Sequence, residues 1–173
     1  MKAALIIIGN EILSGRTKDK NLAYLAEWLN EIGIQLYEVR VIRDDESEII
    51  DCVNLLRKKY NYVFTTGGIG PTHDDITTES IAKAFRVDLE TNPEALRILK
   101  GYYKEGELNE ARLKMTLLPQ GAELVENPVT KAFSARSTIR LVLCVFTPTC
   151  FDLSLMTSKV YLSFLFLLSD SDK

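Results

Sequence analysis

The chain has 173 residues, 46% hydrophobic and 26% charged, with a formal net charge of −3. That length suits one domain with a real core and is short for two, and the charge balance argues against a nucleic-acid partner. Cys52, Cys144 and Cys150 form no CxxC pair and His73 is the only histidine, so neither a structural zinc site nor a disulfide framework is expected.

In chain order, Ala3 to Ile8 is an unbroken aliphatic run, which reads as a buried parallel strand. It is too short for a signal peptide and meets Gly9-Asn10-Glu11 without a small-residue cleavage site. Leu22, Leu25, Ala26, Leu29 and Ile32 then recur at helical spacing, with Asn21 as the expected N-cap and Gly33 where a C-terminal glycine belongs. A second strand is predicted over residues 34–42. Asp44-Asp45 opens a second helix with Ile49, Val53, Leu56 and Tyr60 on one stripe, and Cys52 is expected in its core face. Tyr62 to Thr65 is a third strand, Ile76 to Phe85 a third helix, and residues 93–105 a fourth, with Pro93 at its first position. Residues 107–118 are mixed, and a turn with a short strand is predicted from Gly121 to Asn127. Alternation of strand and helix predicts βαβ units and a mainly parallel sheet, an α/β fold. No run approaches the roughly 18 apolar residues that a membrane span needs, so the expectation is a cytoplasmic protein with no membrane partner.

In such a sheet, ligands bind beyond the carboxyl ends of the strands. The three strands deliver Gly9-Asn10-Glu11, Asp44-Asp45 and Thr66-Gly67-Gly68-Ile69-Gly70-Pro71-Thr72-His73-Asp74-Asp75 to one rim. Gly67, Gly68 and Gly70 remove side chains, so backbone N–H groups can approach an anion, and the following helix adds its N-terminal partial charge. Pro71 stiffens the turn, and Thr66 and Thr72 offer hydroxyls. Neither a P-loop nor the full GxGxxG fingerprint is present. The alternative is a tight strand-to-helix turn with Asp75 or Thr77 as N-cap.

Asp74, Asp75 and Glu79 beside an anion site suggest a divalent cation (Mg²⁺, Mn²⁺ or Co²⁺) bridging carboxylates and phosphates; capping and solvated charge is the other reading. His73 is a candidate general acid or base, or a loop surface residue. Asp44-Asp45 is read either as a ribose contact or as a helix cap.

Gly9-Asn10-Glu11-Ile12-Leu13-Ser14-Gly15, Asp19, Asn21 and the block Thr66 to Thr77 resemble the N-terminal domain of the CinA (competence/damage-inducible) family. Lys114 to Ala122 and Glu126 to Val129 also resemble its downstream pattern. That domain is similar to the molybdopterin-binding fold of MoaB, MogA and gephyrin, which implies a three-layer α/β/α architecture and a phosphorylated ligand, nucleotide or pterin, at the rim. In molybdopterin-handling members the loop and an Asp-Val-Thr aspartate bind molybdopterin for adenylylation; that aspartate falls on Asp75 and the motif's glutamate on Glu79. In the CinA branch the resemblance implies metal-dependent ADP-ribose pyrophosphatase activity, with Asp74 and Asp75 catalytic, Asp74, Asp75 and Glu79 on the metal, and a homo-oligomer. The deamidase of full-length CinA belongs to a separate domain that this chain is expected to lack.

The resemblance spans about residues 3–132, within a domain expected over residues 1–132. After Lys131-Ala132 the family's Ala-Pro-Gly-Phe and Pro-Gly-Val-Pro segments are missing, and residues 133–173 contain no glycine. This atypical C-terminal tail is read as frameshifted or degenerate, with Ile139 to Phe146 able to replace at most one strand. An inactive truncated remnant is therefore a third expectation, beside the hydrolase and the molybdopterin-binding or adenylylating protein.

Overall fold

A computed structural model describes residues 1–103, 108–125, 134–137 and 141–143. Its elements are β1 (Lys2–Ile8), α1 (Asn10–Leu13), α2 (Asn21–Glu31), β2 (Gln35–Ile42), α3 (Glu46–Lys59), β3 (Tyr62–Thr66) and α4 (Thr77–Phe85), followed by β4 (Leu89–Thr91), α5 (Pro93–Tyr102), α6 (Glu110–Lys114), β5 (Leu117–Pro119), β6 (Ala122–Val125), β7 (Ser134–Ser137) and β8 (Leu141–Leu143). One sheet has the order β2-β1-β3-β8-β7-β6, and β4 and β5 form a separate antiparallel pair. β2, β1, β3 and β8 run parallel, whereas β7 is antiparallel to both β8 and β6.

The aliphatic run of β1 is central because both its faces are covered. Ala4, Ile6 and Ile8 pack with Ile49, Val53 and Leu56 of α3 and with Ile81 of α4. Ala3, Leu5 and Ile7 pack on the other face with Leu25 and Leu29 of α2. Helices therefore lie on both sides of the sheet, giving the α/β/α layering. Cys52 is buried beside Val53, as its helical position required.

Local signals explain most of the boundaries. Asn92 caps α5, its side chain accepting from Glu94 and Ala95 N–H, with Pro93 at the first position. Gly33 takes φ 78° just after α2, the left-handed geometry that a Cβ penalises. Asn21 is not the cap of α2: it is the first helical residue, and Asp19 Oδ1 accepts from Leu22 N at 2.7 Å instead. α5 stops at Tyr102, short of residue 105. Within the tail, β8 supplies the parallel neighbour of β3, inside the stretch 139–146 in which one strand was expected. Ser134–Ser137 of the tail forms a second strand, β7, and the remaining residues of 133–173 lie outside the described residues. Among the described residues no helix is long and apolar enough to cross a membrane.

Candidate functional site

Parallel register aligns the carboxyl ends of the first three strands. Ile8 pairs with Ile42 and Ile7 with Thr66, so the chain leaves β1, β2 and β3 at one rim. Gly9 N donates to Ile42 O at 3.1 Å, and Asn10 N donates to Asp44 Oδ2 at 2.8 Å. The other Asp44 oxygen lies 3.6 Å from the point where a Cβ on Gly68 would sit. Asp44 thus ties the second loop to the first and lies beside the third, and the three predicted segments do converge. Its neighbour Asp45 has the other role: it caps α3, accepting from Glu48 N at 3.0 Å. A hydrogen bond from the Ser47 hydroxyl, with the Glu48 N–H, holds the Asp45 carboxyl below the usual range. Glu11 turns back on its own loop, its Oε1 2.6 Å from the position of a Gly9 Cβ.

The glycine loop is built on backbone geometry that other residues resist. Gly67 and Gly68 have φ of 95° and 64° in succession. A Cβ on Gly67 would lie 1.9 Å from Ile8 O, and one on Gly68 would lie 2.2 Å from Thr77 Oγ1. No side chain fits at either point. Thr77, fully buried at the start of α4, clamps the loop: its hydroxyl donates to Gly67 O at 3.0 Å and its N–H to Gly68 O at 2.9 Å. Neither Asp75 nor Thr77 is the N-cap of α4. Ile76 holds that position without a side-chain cap, because the Thr77 hydroxyl is committed to Gly67.

At the end of β3, just before the loop, Thr65 and Thr66 are 0% and 3% exposed, and as strand neighbours they face opposite sides of the sheet, Thr65 with Ile6 toward α3 and α4 and Thr66 with Ile7 toward α2. Neither hydroxyl has a hydrogen-bond partner among the described residues. Buried hydroxyls are normally paired, so the two orphans are unmet polar groups at the strand end, one on each face of the sheet. Thr66 is among the residues the sequence singles out. Thr65 opens the same glycine-rich run in the sequence but has no role of its own there; its place as the last residue but one of a strand ending in the glycine loop is the signal for it.

The acidic half is arranged differently. Asp75 folds back beneath the turn, where one carboxylate oxygen accepts from Thr72 N at 2.9 Å and from the Thr72 hydroxyl. That oxygen sits 2.7 Å from where a Gly70 Cβ would be, so the bare Gly70 leaves it room, while Pro71 and Thr72 are exposed. His73 Nε2 and Asp74 Oδ1 pair at 2.8 Å on the surface, with side chains 93% and 74% exposed. Glu79 pairs with Lys114 of α6 at 3.1 Å, and the same ammonium donates to Asp75 O at 3.1 Å. The expected set of Asp74, Asp75 and Glu79 is therefore not assembled, since each carboxylate is engaged elsewhere. Among the described residues no group of three or more His, Cys, Asp or Glu side chains is placed to hold a metal ion.

A family described as "Probable molybdopterin binding domain" matches residues 4–163. A CinA-like protein of Sulfurihydrogenibium is 37% identical over 134 residues, 76% of this chain and 34% of the relative. A protein of Aeropyrum pernix is 40% identical over 133 residues, which are 76% of this chain and 50% of that protein. The chain thus spans between a third and a half of the length of these curated relatives. The crystal structure of CinA from Thermoplasma acidophilum superposes with a TM-score of 0.82 at 31% identity, covering 92% of this chain and 96% of that one. MoaB from Thermus thermophilus superposes at 0.57 with 14% identity, over 96% and 94% of the two chains, a likeness of fold alone.

Proposed function

Given that the chain belongs to the molybdopterin-binding domain family, on its CinA-like side, we propose that its glycine-loop pocket binds a phosphorylated small molecule. One observation carries the reading: two consecutive left-handed glycines, packed so that no side chain fits, directly follow a strand that ends in two buried threonines whose hydroxyls lack partners. Backbone N–H groups in such a turn, next to a helix start, suit the dispersed negative charge of a phosphate. Asp44 and Asn10, at the adjoining loop ends, are placed to meet a polar group attached to that phosphate, such as a ribose or pterin.

Within this proposal the favoured chemistry is hydrolysis of a pyrophosphate such as that of ADP-ribose, water adding across the P–O–P bridge to release AMP. The CinA-like wording of the Gly67 to Asp75 loop supports it. Among the described residues a metal finds no preformed cage. Mg²⁺ is commonly held by one or two carboxylates together with substrate phosphates rather than by an all-protein site, so a metal requirement belongs to the ligand complex and is tested there. The second reading, binding or adenylylation of molybdopterin, draws support from the description of the matching family.

Incubating the chain with ADP-ribose and Mg²⁺, Mn²⁺ or Co²⁺, following AMP release, separates the readings. Turnover supports hydrolysis. No turnover with tight binding of a phosphorylated pterin supports the second reading, and neither signal would leave a folded but inactive remnant.

A further inference from the structure

β2 is an open edge of the large sheet: it pairs with β1, and no other described strand lies beyond it. Ile42 O accepts from Gly9 N, so Ile42 turns its backbone groups toward β1. Successive residues of a strand bond to opposite sides. Arg40 and Glu38 therefore also bond toward β1, while Val41 and Val39 present N–H and C=O to the open edge. Their side chains are 40% and 37% exposed. Their register partners Ile7 and Leu5 are buried, so an apolar sheet face runs out to the edge and ends in solvent. Free edges are usually guarded by proline, charged side chains or a bulge. Gln35–Ile42 contains neither proline nor lysine, its two charges Glu38 and Arg40 are paired with each other, and the register shift opposite Ala3 and Ala4 leaves the stretch from Glu38 to Ile42 regular.

We propose that β2 is the interface with a second copy of this chain, the two strands pairing antiparallel about a two-fold axis through Val39. Charge selects this register. Centring on Val39 sets Glu38 of each copy opposite Arg40 of the other, with Tyr37 opposite Val41. Centring on Arg40 instead would oppose two arginines and set Glu38 against Ile42. Because Val39 faces outward, the Val39 pair exchanges backbone hydrogen bonds, and the Glu38–Arg40 pairs fall at the close positions, with Cα atoms about 4.5 Å apart. The charges are already held at this edge: Arg40 and Glu38 pair at 2.7 Å, and Tyr60 OH donates to the second Glu38 oxygen. Two copies extend these pairs into an alternating ring of four charges, while the exposed valines of the two strands meet. Self-complementarity of this kind is what an isologous contact requires.

Sedimentation equilibrium of the full chain at roughly 100 µM, where even a micromolar dimer is populated, should give the dimer mass. Glu38→Arg should weaken the dimer about tenfold, and Glu38→Arg with Arg40→Glu should restore it. The double variant also shows whether the single one failed merely by misfolding. With Cys144 and Cys150 replaced by serine, Val39→Cys should oxidise to a covalent dimer, since an opposed pair about 5.5 Å apart suits a disulfide. Leu113→Cys, exposed on α6, should not. A monomer throughout, a dimer indifferent to Glu38→Arg, a double variant that folds as a monomer, or a dimer that Val39→Cys does not link would each overturn the proposal.

Discussion

The segment from Thr65 to Glu79 divides near Pro71, and its halves differ in kind. In the glycine half the chain has no freedom: Gly67 and Gly68 occupy positions where a Cβ would collide with Ile8 O or Thr77 Oγ1. In the acidic half the carboxylates have found partners within the protein, Asp75 on Thr72, Asp74 on His73 and Glu79 on Lys114. A backbone demand is met by residue type at the spot, so it is visible in the sequence. A carboxylate's partner can come from anywhere in the chain, and Lys114 lies 39 residues from Asp75. Three acids close together in sequence therefore announce charge without saying what it is spent on.

The sharpest way to break this contrast is Gly67→Ala. A Cβ there meets a backbone carbonyl and a left-handed φ together, so unfolding free energy should fall by about 3 kcal/mol or more, with ligand binding lost. Gly121→Ala, also at positive φ but with open space around the new Cβ, should cost only about 1 kcal/mol. Denaturant titration of both separates collision from backbone strain. Asp75→Ala should leave the fold intact but free the turn it braces, weakening ADP-ribose about tenfold by calorimetry through lost preorganisation, and abolishing any AMP release. Turnover lost at unchanged affinity would instead mark Asp75 as a group acting on the substrate. Lys114→Met removes the tether between α6 and the loop; because that ion pair is partly exposed, affinity should drop only about twofold to fivefold.

The smallest effect concerns Asp45. Its folded-state pKa lies below the ordinary value, so its contribution to stability is present at neutral pH and is lost as pH falls through that depressed pKa. Asp45→Asn keeps an equally good cap at pH 7 but removes this acid dependence. Thermal melts from pH 7 down to about pH 3 should therefore show a shallower decline for the variant.

Legibility followed the same division. The β1 core, the α2 and α3 stripes and the glycine at the end of α2 were readable because each rests on local periodicity or on one residue's backbone. The rim was readable too, since parallel strands must deliver their carboxyl ends together. The β4–β5 pair was not, because strands three residues long carry too little pattern to stand out from a loop. The division of Asp44 from Asp45 was hidden as well: both are acids after a strand, and only the three-dimensional path of Asn10 decides which one turns inward. Thr77 was weighed as a cap by its type and position, yet its hydroxyl reaches Gly67 ten residues back.

The claim that the Gly67–Gly70 turn is a phosphate cradle is tested most directly by titrating ADP-ribose, and separately a phosphorylated pterin, into isotope-labelled protein while following backbone amide resonances. For the ligand that binds, the largest shifts should fall on Gly67, Gly68 and Gly70, with Thr65 and Thr66 moving alongside. Saturable binding that leaves those amides unmoved, or no binding of either ligand, would contradict it.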